Sequence, residues 1–290
     1  MRYMENKRLY QPKYMREILE KFGFSFSKSL GQNFLIDGNI IRKIVDNSEI
    51  TEDDVVLEIG PGFGVLTEEL ASKAKRVVCV EIDKSLMEVL DYTLKDFDNV
   101  DIINDDILKV DIKAIKEKYS PDRKMKVVAN LPYYVTTPIL EHLIDDKEFF
   151  DSITVMVQKE VADRMAAKEN TKAYGSLSLY IGYNADAEII VRAPKTVFMP
   201  QPKIDSAVVK LNLVKRDFGV DEKLLFDLIH SGFTKRRKNI MNSLTTGFVK
   251  ITKDELKVIL EKLDIPANLR AENLSLEQYV LITKEIEKNS

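Results

Sequence analysis

An apolar run that ends in a group of polar and aromatic residues is the first feature of this 290-residue chain with clear chemical meaning. Residues 126–130 read as a buried strand, and Leu131, Pro132 and Tyr133 follow it directly. The side-chain oxygen of Asn130 and the carbonyl of Leu131 could accept both hydrogens of an adenine amino group, which would turn its lone pair toward an electrophile. Pro132 would hold these acceptors rigidly, and Tyr133 could stack on the base. The segment therefore indicates a site that makes an amino nitrogen nucleophilic, although a plain strand-to-loop turn also explains the tetrapeptide taken alone.

A glycine-rich loop earlier in the chain predicts a site for a carboxylate or phosphate. A short buried strand at 55–59 runs into this loop, and a helix is predicted from 65 to 74. Glycines permit close backbone approach to a ligand, and a helix start offers free amides. The loop contains Gly60, Gly62 and Gly64. Because Val65 stands near the place of the third glycine in the dinucleotide fingerprint, the spacing disfavours an NAD-dependent dehydrogenase.

An acidic residue ends the next predicted strand, at 77–82. Glu81 lies about twenty residues beyond the first glycine, which is the distance at which a carboxylate can meet ribose hydroxyls. Glycine occurs in many tight turns, so the loop is weak evidence by itself. The combination of loop, acidic strand end and Asn130 predicts a nucleoside-containing ligand.

Predicted strands must bring these residues together. They lie at 55–59, 77–82, 100–103, 126–130, 153–158, 177–182 and 207–213. Since helical patterns separate the earlier strands, we expect an α/β fold with a doubly wound parallel sheet, which the later strands continue in antiparallel fashion. Ligands in such sheets bind at the carboxyl ends of the strands. Gly60, Glu81, Asp106 and Asn130 each follow a different strand end, so we expect them in one cleft.

The pattern becomes helical after residue 217. Helices are predicted at 224–231, 235–244, 253–263 and 276–288. We therefore divide the chain into a basic N-terminal extension (1–28), a sheet domain (29–216) and a small helical domain (217–290).

Composition limits the possible classes of protein. Hydrophobic residues make up 44% of the chain, enough for a sizeable core, and the apolar runs are too short to span a membrane. A basic and polar N-terminus without an apolar stretch predicts a cytoplasmic protein. The single cysteine, Cys79, reads as a buried small hydrophobic residue, and the widely separated His142 and His230 give no metal-ligand spacing. We therefore expect neither a metal nor a membrane as a partner.

Charge is distributed unevenly although the net charge is only −3. Residues 203–250 carry ten lysines and arginines against five acidic residues. The densest cluster, which we call the basic run, is Lys235, Arg236, Arg237 and Lys238. A solvated helix face is the ordinary explanation for such a run. Together with the predicted nucleoside site, however, the run favours RNA binding through contacts to phosphates.

Motifs over nearly the whole chain resemble one family, the small-subunit ribosomal RNA adenine N6,N6-dimethyltransferases (dimethyladenosine transferases), which use S-adenosylmethionine. The matching blocks lie at 30–35, 58–64, 105–108, 130–133, 158–162 and 197–208. The resemblance implies a Rossmann-like class I methyltransferase sheet with a small C-terminal helical domain. The family often has glycine where this chain has Asp105, whereas Asp106 keeps its place in the motif.

Site residues follow from the same resemblance. It implies that Asn33 and Leu35 close over the cofactor, that Glu81 binds its ribose and that Asp106 accepts from its adenine amino group. The expected cofactor ligands are Gln32, Asn33, Leu35, Gly60, Gly62, Gly64, Glu81, Ile82, Asp106, Ile107 and Asn130. The expected catalytic residues are Asn130, Leu131, Pro132, Tyr133 and Phe198, with the rings of Tyr133 and Phe198 on opposite faces of the base. Gln32 and Asn33 have an alternative role as caps of a helix that begins near Asp37.

The resemblance further implies methylation of two adjacent adenosines near the 3' end of 16S rRNA, in a partly assembled small subunit and by a monomer. A large-subunit (23S) rRNA adenine methyltransferase of the macrolide-resistance type is the nearest alternative; Leu131 and the block 197–208 favour the small-subunit group. A non-catalytic RNA-binding assembly factor on the same fold is the other alternative, and the intact segment 130–133 argues against it.

Overall fold

A computed structural model describes residues 8–24, 26 and 31–289 of the chain. Part of the predicted basic extension and Leu30 of the first motif lie outside these residues. Within the described ranges, no helix is both long and apolar enough to cross a membrane.

The chain forms two compact units. The first contains the chain up to Ala162 together with Glu188–Leu213, and the second contains Asp163–Ala187 together with the chain from Val214 onward. Residues 163–187 thus group with the C-terminal helices, although they precede the change of pattern near residue 217.

Nine strands and twelve α-helices are described. The strands are β1 Phe34–Leu35, β2 Val55–Ile59, β3 Arg76–Glu81, β4 Val100–Asn104, β5 Met125–Asn130, β6 Phe150–Gln158, β7 Ala185–Ala193, β8 Phe198–Met199 and β9 Ser206–Leu213. The helices are α1 Pro12–Phe22, α2 Gly38–Asn47, α3 Val65–Ala71, α4 Met87–Thr93, α5 Ile112–Tyr119, α6 Thr136–Asp145, α7 Lys159–Met165, α8 Ser176–Asn184, α9 Glu222–Thr234, α10 Ile240–Leu244, α11 Lys253–Lys262 and α12 Leu276–Lys288.

The main sheet has seven strands in the order β4-β3-β2-β5-β6-β9-β7. The five strands from β4 to β6 are parallel, and β9 pairs antiparallel with β6, so that Met156 faces Val208. Every residue of β2 is buried, as expected for a central strand with both faces covered. The prediction of a parallel sheet with an antiparallel continuation is confirmed.

One strand prediction is wrong. Residues 177–182 lie in α8, and the strand of this region is β7. A short apolar run fits a buried strand and a buried helix equally well, and here the Ser178 hydroxyl accepts from the Gly175 N–H at 3.1 Å, which starts the helix. The sequence did not predict strand β7, because it is an edge strand whose charged residues at alternate exposed positions interrupt the apolar run.

Side-chain caps define the helices of the second unit. Asp221, Thr252 and Ser275 cap α9, α11 and α12 by accepting from backbone N–H groups of the first turn. The predicted helix 235–244 is shorter than expected, because Asn239 caps α10 and the preceding residues form turns. Buried apolar side chains such as Leu228 and Tyr279 form the core of this unit.

Candidate functional site

A cavity of about 320 Å³ lies at the carboxyl ends of the parallel strands. Residues at or just after the ends of β2, β3, β4 and β5 line it, together with the segment that precedes β1. The lining includes the predicted site residues Gln32, Asn33, Gly60, Gly62, Glu81, Ile82, Asp106, Ile107, Asn130, Leu131, Pro132 and Tyr133. The cleft expected from the strand-end argument therefore exists, and it contains most of the predicted residues.

The glycine loop forms one wall of the cavity. Gly62 has φ +61°, and an added Cβ would lie 2.5 Å from the Phe34 ring, so neither the backbone nor the packing leaves room for a side chain. Nothing lies within 4 Å of the Cβ position of Gly60, which leaves space beside its backbone. Gly64 faces Leu94 and does not line the cavity.

Glu81 presents a buried carboxyl group to the cavity. Only 5% of the residue is exposed, and its two oxygens accept from the Asp83 N–H at 2.9 Å and the Gly62 N–H at 3.3 Å. Burial raises the pKa of Glu81 to about 7, against the lowering effect of these hydrogen bonds. Such a carboxyl group can accept from two neighbouring hydroxyls once it is ionised.

Asp106 lies on the loop after β4. Its carboxylate accepts from the Leu108 N–H at 3.1 Å, and the Asp106 N–H in turn donates to the Asp105 carboxylate at 2.7 Å. The Asp105 side chain thus fixes the loop by a bond that a glycine could not make. Ile82 and Leu108, 51% and 38% exposed, add apolar surface that fits a planar ring.

Two hydrogen bonds hold the segment 31–33 across the cavity. The Asn130 side-chain amide donates to the Asn33 carbonyl at 3.0 Å, and the Gln32 side-chain amide donates to the Asp83 carboxylate at 2.7 Å. Because the Asn130 nitrogen is engaged in this way, its oxygen is the atom able to accept from an amino group. The alternative of helix capping by Gln32 and Asn33 is wrong, since the Asp37 carboxylate itself caps α2.

Tyr133 is fixed by its hydroxyl group, which lies 2.6 Å from the Ser206 hydroxyl. Burial raises the pKa of Tyr133 above its ordinary value, so the phenol stays neutral at physiological pH. The bond holds the ring at the cavity wall, beside Asn130 and Leu131.

Three predicted residues do not line the cavity: Leu35, Gly64 and Phe198. Leu35 and Phe198 face each other in the two-stranded ribbon formed by β1 and β8, and each is only 3% exposed. Both belong to the core of the first unit, because two apolar side chains paired in a short ribbon are covered by the surrounding hydrophobic residues. Contact of these residues with a ligand stays a prediction.

Tyr134 is a lining residue that sequence reasoning missed. The residue is 61% exposed and lines the cavity, and a Cβ added at Gly31 would lie 3.3 Å from its ring. The only signal in the sequence was its place directly after Tyr133.

The basic run lies in the second unit, and all four of its side chains are exposed. Arg236 is engaged within the unit: its guanidinium donates to the carbonyls of Lys172 and Tyr174 at 3.1 and 3.2 Å and pairs with Glu272 at 3.3 Å. Arg237 and Lys238 make no contact of this kind among the described residues, so they are better placed for phosphate.

Beneath the glycine loop, Cys79 is fully buried, as predicted, with its Sγ 3.6 Å from the Glu58 carboxyl group. Burial raises the pKa of Glu58 to about 7 and that of Cys79 well above its ordinary value. In the described part of the chain, no three His, Cys, Asp or Glu side chains are grouped to hold a metal ion.

Residues 23–288 match the family model described as "Ribosomal RNA adenine dimethylase". A ribosomal RNA small subunit methyltransferase A from Alkaliphilus oremlandii is 44% identical over 97% of this chain and 99% of the relative. The protein of the same name from Ligilactobacillus salivarius is 48% identical, over 96% and 95% of the two chains.

Two solved structures resemble the fold. A dimethyladenosine transferase from Plasmodium falciparum has a TM-score of 0.74 at 25% identity, with 88% of this chain and 98% of that chain covered. The 23S rRNA methyltransferase ErmE has a TM-score of 0.67 at 25% identity, with 88% and 99% covered.

Proposed function

Because the chain belongs to the ribosomal RNA adenine dimethylase family, we propose that it dimethylates N6 of two adjacent adenosines near the 3' end of 16S rRNA. S-adenosylmethionine is the methyl donor in this proposal. The observation that supports it best is the convergence of Glu81, Asp106 and Asn130 from three strand ends on one cavity.

The residues of the cavity fit S-adenosylmethionine. The Glu81 carboxylate can accept from the two ribose hydroxyls, Asp106 can accept from the adenine amino group, and Ile82 and Leu108 would supply apolar surface for the adenine ring. The open space beside Gly60 suits the methionine end of the molecule. When bound, S-adenosylmethionine supplies an electrophilic methyl group.

The protein contributes orientation. A target adenosine must leave its stack before its amino group can reach a buried methyl donor, and stacking on Tyr133 offsets part of that cost, by about 1–3 kcal/mol per base. The Asn130 oxygen and the Leu131 carbonyl accept the two amino hydrogens, so the nitrogen lone pair points away from both. The proton released after attack can pass to water, since the alkylated nitrogen is acidic.

Rigid placement of these groups supplies the rate enhancement. The Asn130 amide is fixed by the Asn33 carbonyl, and Tyr133 is fixed by Ser206, so neither side chain has to be ordered when the base enters. Orientation of this kind contributes at most about 7–11 kcal/mol to lowering a barrier. The second methylation requires space for one methyl group next to the same acceptors.

The proposed substrate is rRNA within a partly assembled small subunit, bound by a monomer in the cytoplasm. In this proposal residues 29–216 carry out methyl transfer, and the helical residues 217–290 contribute RNA contacts through the basic run. Phosphate contacts supply salt-dependent affinity, and the fold of the RNA around the extruded base supplies recognition.

Incubation with labelled S-adenosylmethionine and with small or large ribosomal subunits that lack adenine dimethylation tests the proposal. We expect dimethyladenosine in the small subunit alone, as mapped by mass spectrometry of the nucleosides. In the variant Asn130→Ala, kcat should fall by about 10²-fold or more, a far larger loss than the accompanying loss of cofactor affinity.

The same experiment separates the alternatives. Label in the large subunit alone would reject the proposal in favour of an enzyme of the ErmE kind. Cofactor binding without any methyl transfer to either subunit would reject it in favour of a non-catalytic RNA-binding factor.

A further inference from the structure

A large aromatic side chain is exposed in the second unit, outside the site described above. Phe248 lies in the loop between α10 and α11 and is 62% exposed. Its ring contacts the edge of His230, with 5.1 Å between the ring centroids and an angle of 72° between the planes. An aromatic ring that is exposed to this extent can contact a planar partner.

The loop holds Phe248 in a defined place. The Phe248 N–H donates to the Ser231 hydroxyl at 2.7 Å, and the Thr246 hydroxyl donates to the Asn242 carbonyl at 2.7 Å. Gly247 lies so close to α9 that an added Cβ would be 2.1 Å from Ser231 side-chain atoms. A side chain exposed on an ordered backbone loses little conformational entropy when it binds a partner.

The basic run is tied to this loop. The Lys235 ammonium donates to the Thr246 hydroxyl at 3.0 Å, so the first residue of the run reaches the residue two before Phe248. Lys250 follows two residues after Phe248 and is also exposed. Asp227, an acidic residue of α9 four positions before Ser231, is paired with Lys223 and thus partly neutralised.

An exposed ring among cationic side chains is the arrangement with which proteins bind single-stranded nucleic acid: bases stack on the ring, and the cations contact the phosphates. We propose that Phe248 and the exposed cations of the basic run form a second RNA contact, in which Phe248 stacks on an unpaired nucleotide of the rRNA substrate. The inference rests on the proposed function, and it names a binding residue far along the chain from the catalytic segment.

Other exposed apolar side chains of the unit do not share this arrangement. Val258 on α11 and Leu281 on α12 are 64% and 45% exposed, but they are aliphatic and cannot stack. Val258 therefore offers a matched control position for Phe248.

The composition of the chain allows a direct test, because it contains no tryptophan. In the variant Phe248→Trp the new indole would be the single tryptophan and would keep the ability to stack. Titration with a small-subunit rRNA transcript should quench its fluorescence, whereas the fluorescence of Val258→Trp should stay nearly constant. Equal quenching of the two variants by RNA would overturn the inference. It would also be overturned if anionic lipid vesicles quenched Phe248→Trp and RNA did not.

Affinity provides the second measurement. Loss of one base–aromatic stack predicts that Phe248→Ala binds the transcript about 5- to 150-fold more weakly than the unmodified protein, with Val258→Ala unchanged. Kd for S-adenosylmethionine should be the same in all three proteins.

The two proposals fail in different ways. If the unmodified protein methylates small subunits and Phe248→Ala binds RNA equally well, the stacking inference is wrong while the proposed function stands. If the unmodified protein methylates no subunit, the proposed function itself is wrong.

Discussion

Replacement of Glu81 by glutamine tests the cofactor site most sharply. The substitution keeps the size of the side chain but removes its charge and one of its two acceptor oxygens. In the structure both oxygens are used: one accepts from the Asp83 N–H and the other from the Gly62 N–H. A glutamine can accept from only one of these, so its amide nitrogen has to face a backbone donor.

The expected loss follows from the hydrogen bonds to the ribose. A hydrogen bond to a charged group contributes about 1.5–3 kcal/mol, and Glu81→Gln should remove at least one such bond. Kd for S-adenosylmethionine should therefore rise about 10- to 150-fold at pH 8. The kcat at saturating cofactor should change little, because Glu81 is separate from the acceptors that orient the base.

The raised pKa adds a pH dependence with a definite sign. Because burial raises the pKa of Glu81 to about 7, the carboxyl group of the free protein is mostly protonated at pH 6 and mostly ionised at pH 8. Only the ionised form accepts from two hydroxyls, so binding below pH 7 must release a proton. Affinity should fall about tenfold per pH unit below 7 and level off above it.

Isothermal titration calorimetry of both proteins between pH 5.5 and 8.5, in buffers of different ionisation enthalpy, measures affinity and proton release together. The charge of Asp83 also raises the pKa of Glu81, and burial raises the pKa of Glu58 to about 7, but both residues are present in the two proteins, so the difference between them reports on Glu81. Equal Kd values of the two proteins across this range would refute the assignment of Glu81 to the ribose.

Three further predictions follow from other contacts. Tyr133→Phe removes the hydrogen bond to Ser206 and should lower kcat/KM only a few-fold. Tyr133→Ala also removes the ring that would stack on the base, a contribution of about 1–3 kcal/mol. Equal losses of kcat/KM in the two variants, measured in methylation assays, would contradict a role for the ring. Arg236→Ala should lower the free energy of unfolding, measured in urea, by about 1–2 kcal/mol. Arg237→Ala should leave stability unchanged and reduce the slope of log K against log salt for RNA binding by about 1. The opposite result would mean that Arg237 is the structural residue and Arg236 the phosphate contact. Glu58→Gln should become more stable than the unmodified protein as pH rises. Burial raises the pKa of Glu58 to about 7 in the folded state, so the stability that this carboxyl group contributes at low pH is lost between its ordinary pKa and pH 7. The gain in the free energy of unfolding is at most ~3 kcal/mol by pH 8, and a difference between the two proteins that does not vary with pH would contradict this prediction.

The sequence predicted the sheet well because buried parallel strands carry a strong signal. The runs at β2, β3 and β5 are mostly apolar, and a glycine follows β2, while β3 ends in an acidic residue and β5 in an asparagine. Once those strands were recognised, the rule that ligands bind at carboxyl strand ends was enough to bring Gly60, Glu81 and Asn130 together.

Other features had no local signal. The apolar residues of α8 fit a strand as well as a helix, and Ser178, which accepts from the Gly175 N–H at the start of the helix, also donates to the Arg164 carbonyl, fourteen residues earlier. The contacts of Arg236 with Glu272 and with two carbonyls of another segment are still more distant in the sequence. Contacts of this kind cannot be read from spacing, so the basic run looked like four equivalent cations.

The segment 31–33 connects the part of the cavity proposed for the cofactor with the part proposed for the target base. Through Gln32 it is bound to Asp83, whose N–H also donates to Glu81 on the side proposed for the ribose. Through the Asn33 carbonyl it is bound to Asn130, the residue proposed to orient the target base. A displacement of the whole segment would release both bonds, because Gln32 and Asn33 are adjacent in the chain. In the proposed function the same segment would have to be in place both for cofactor binding and for base orientation, which would give this motif a role far from strand β5 in the sequence.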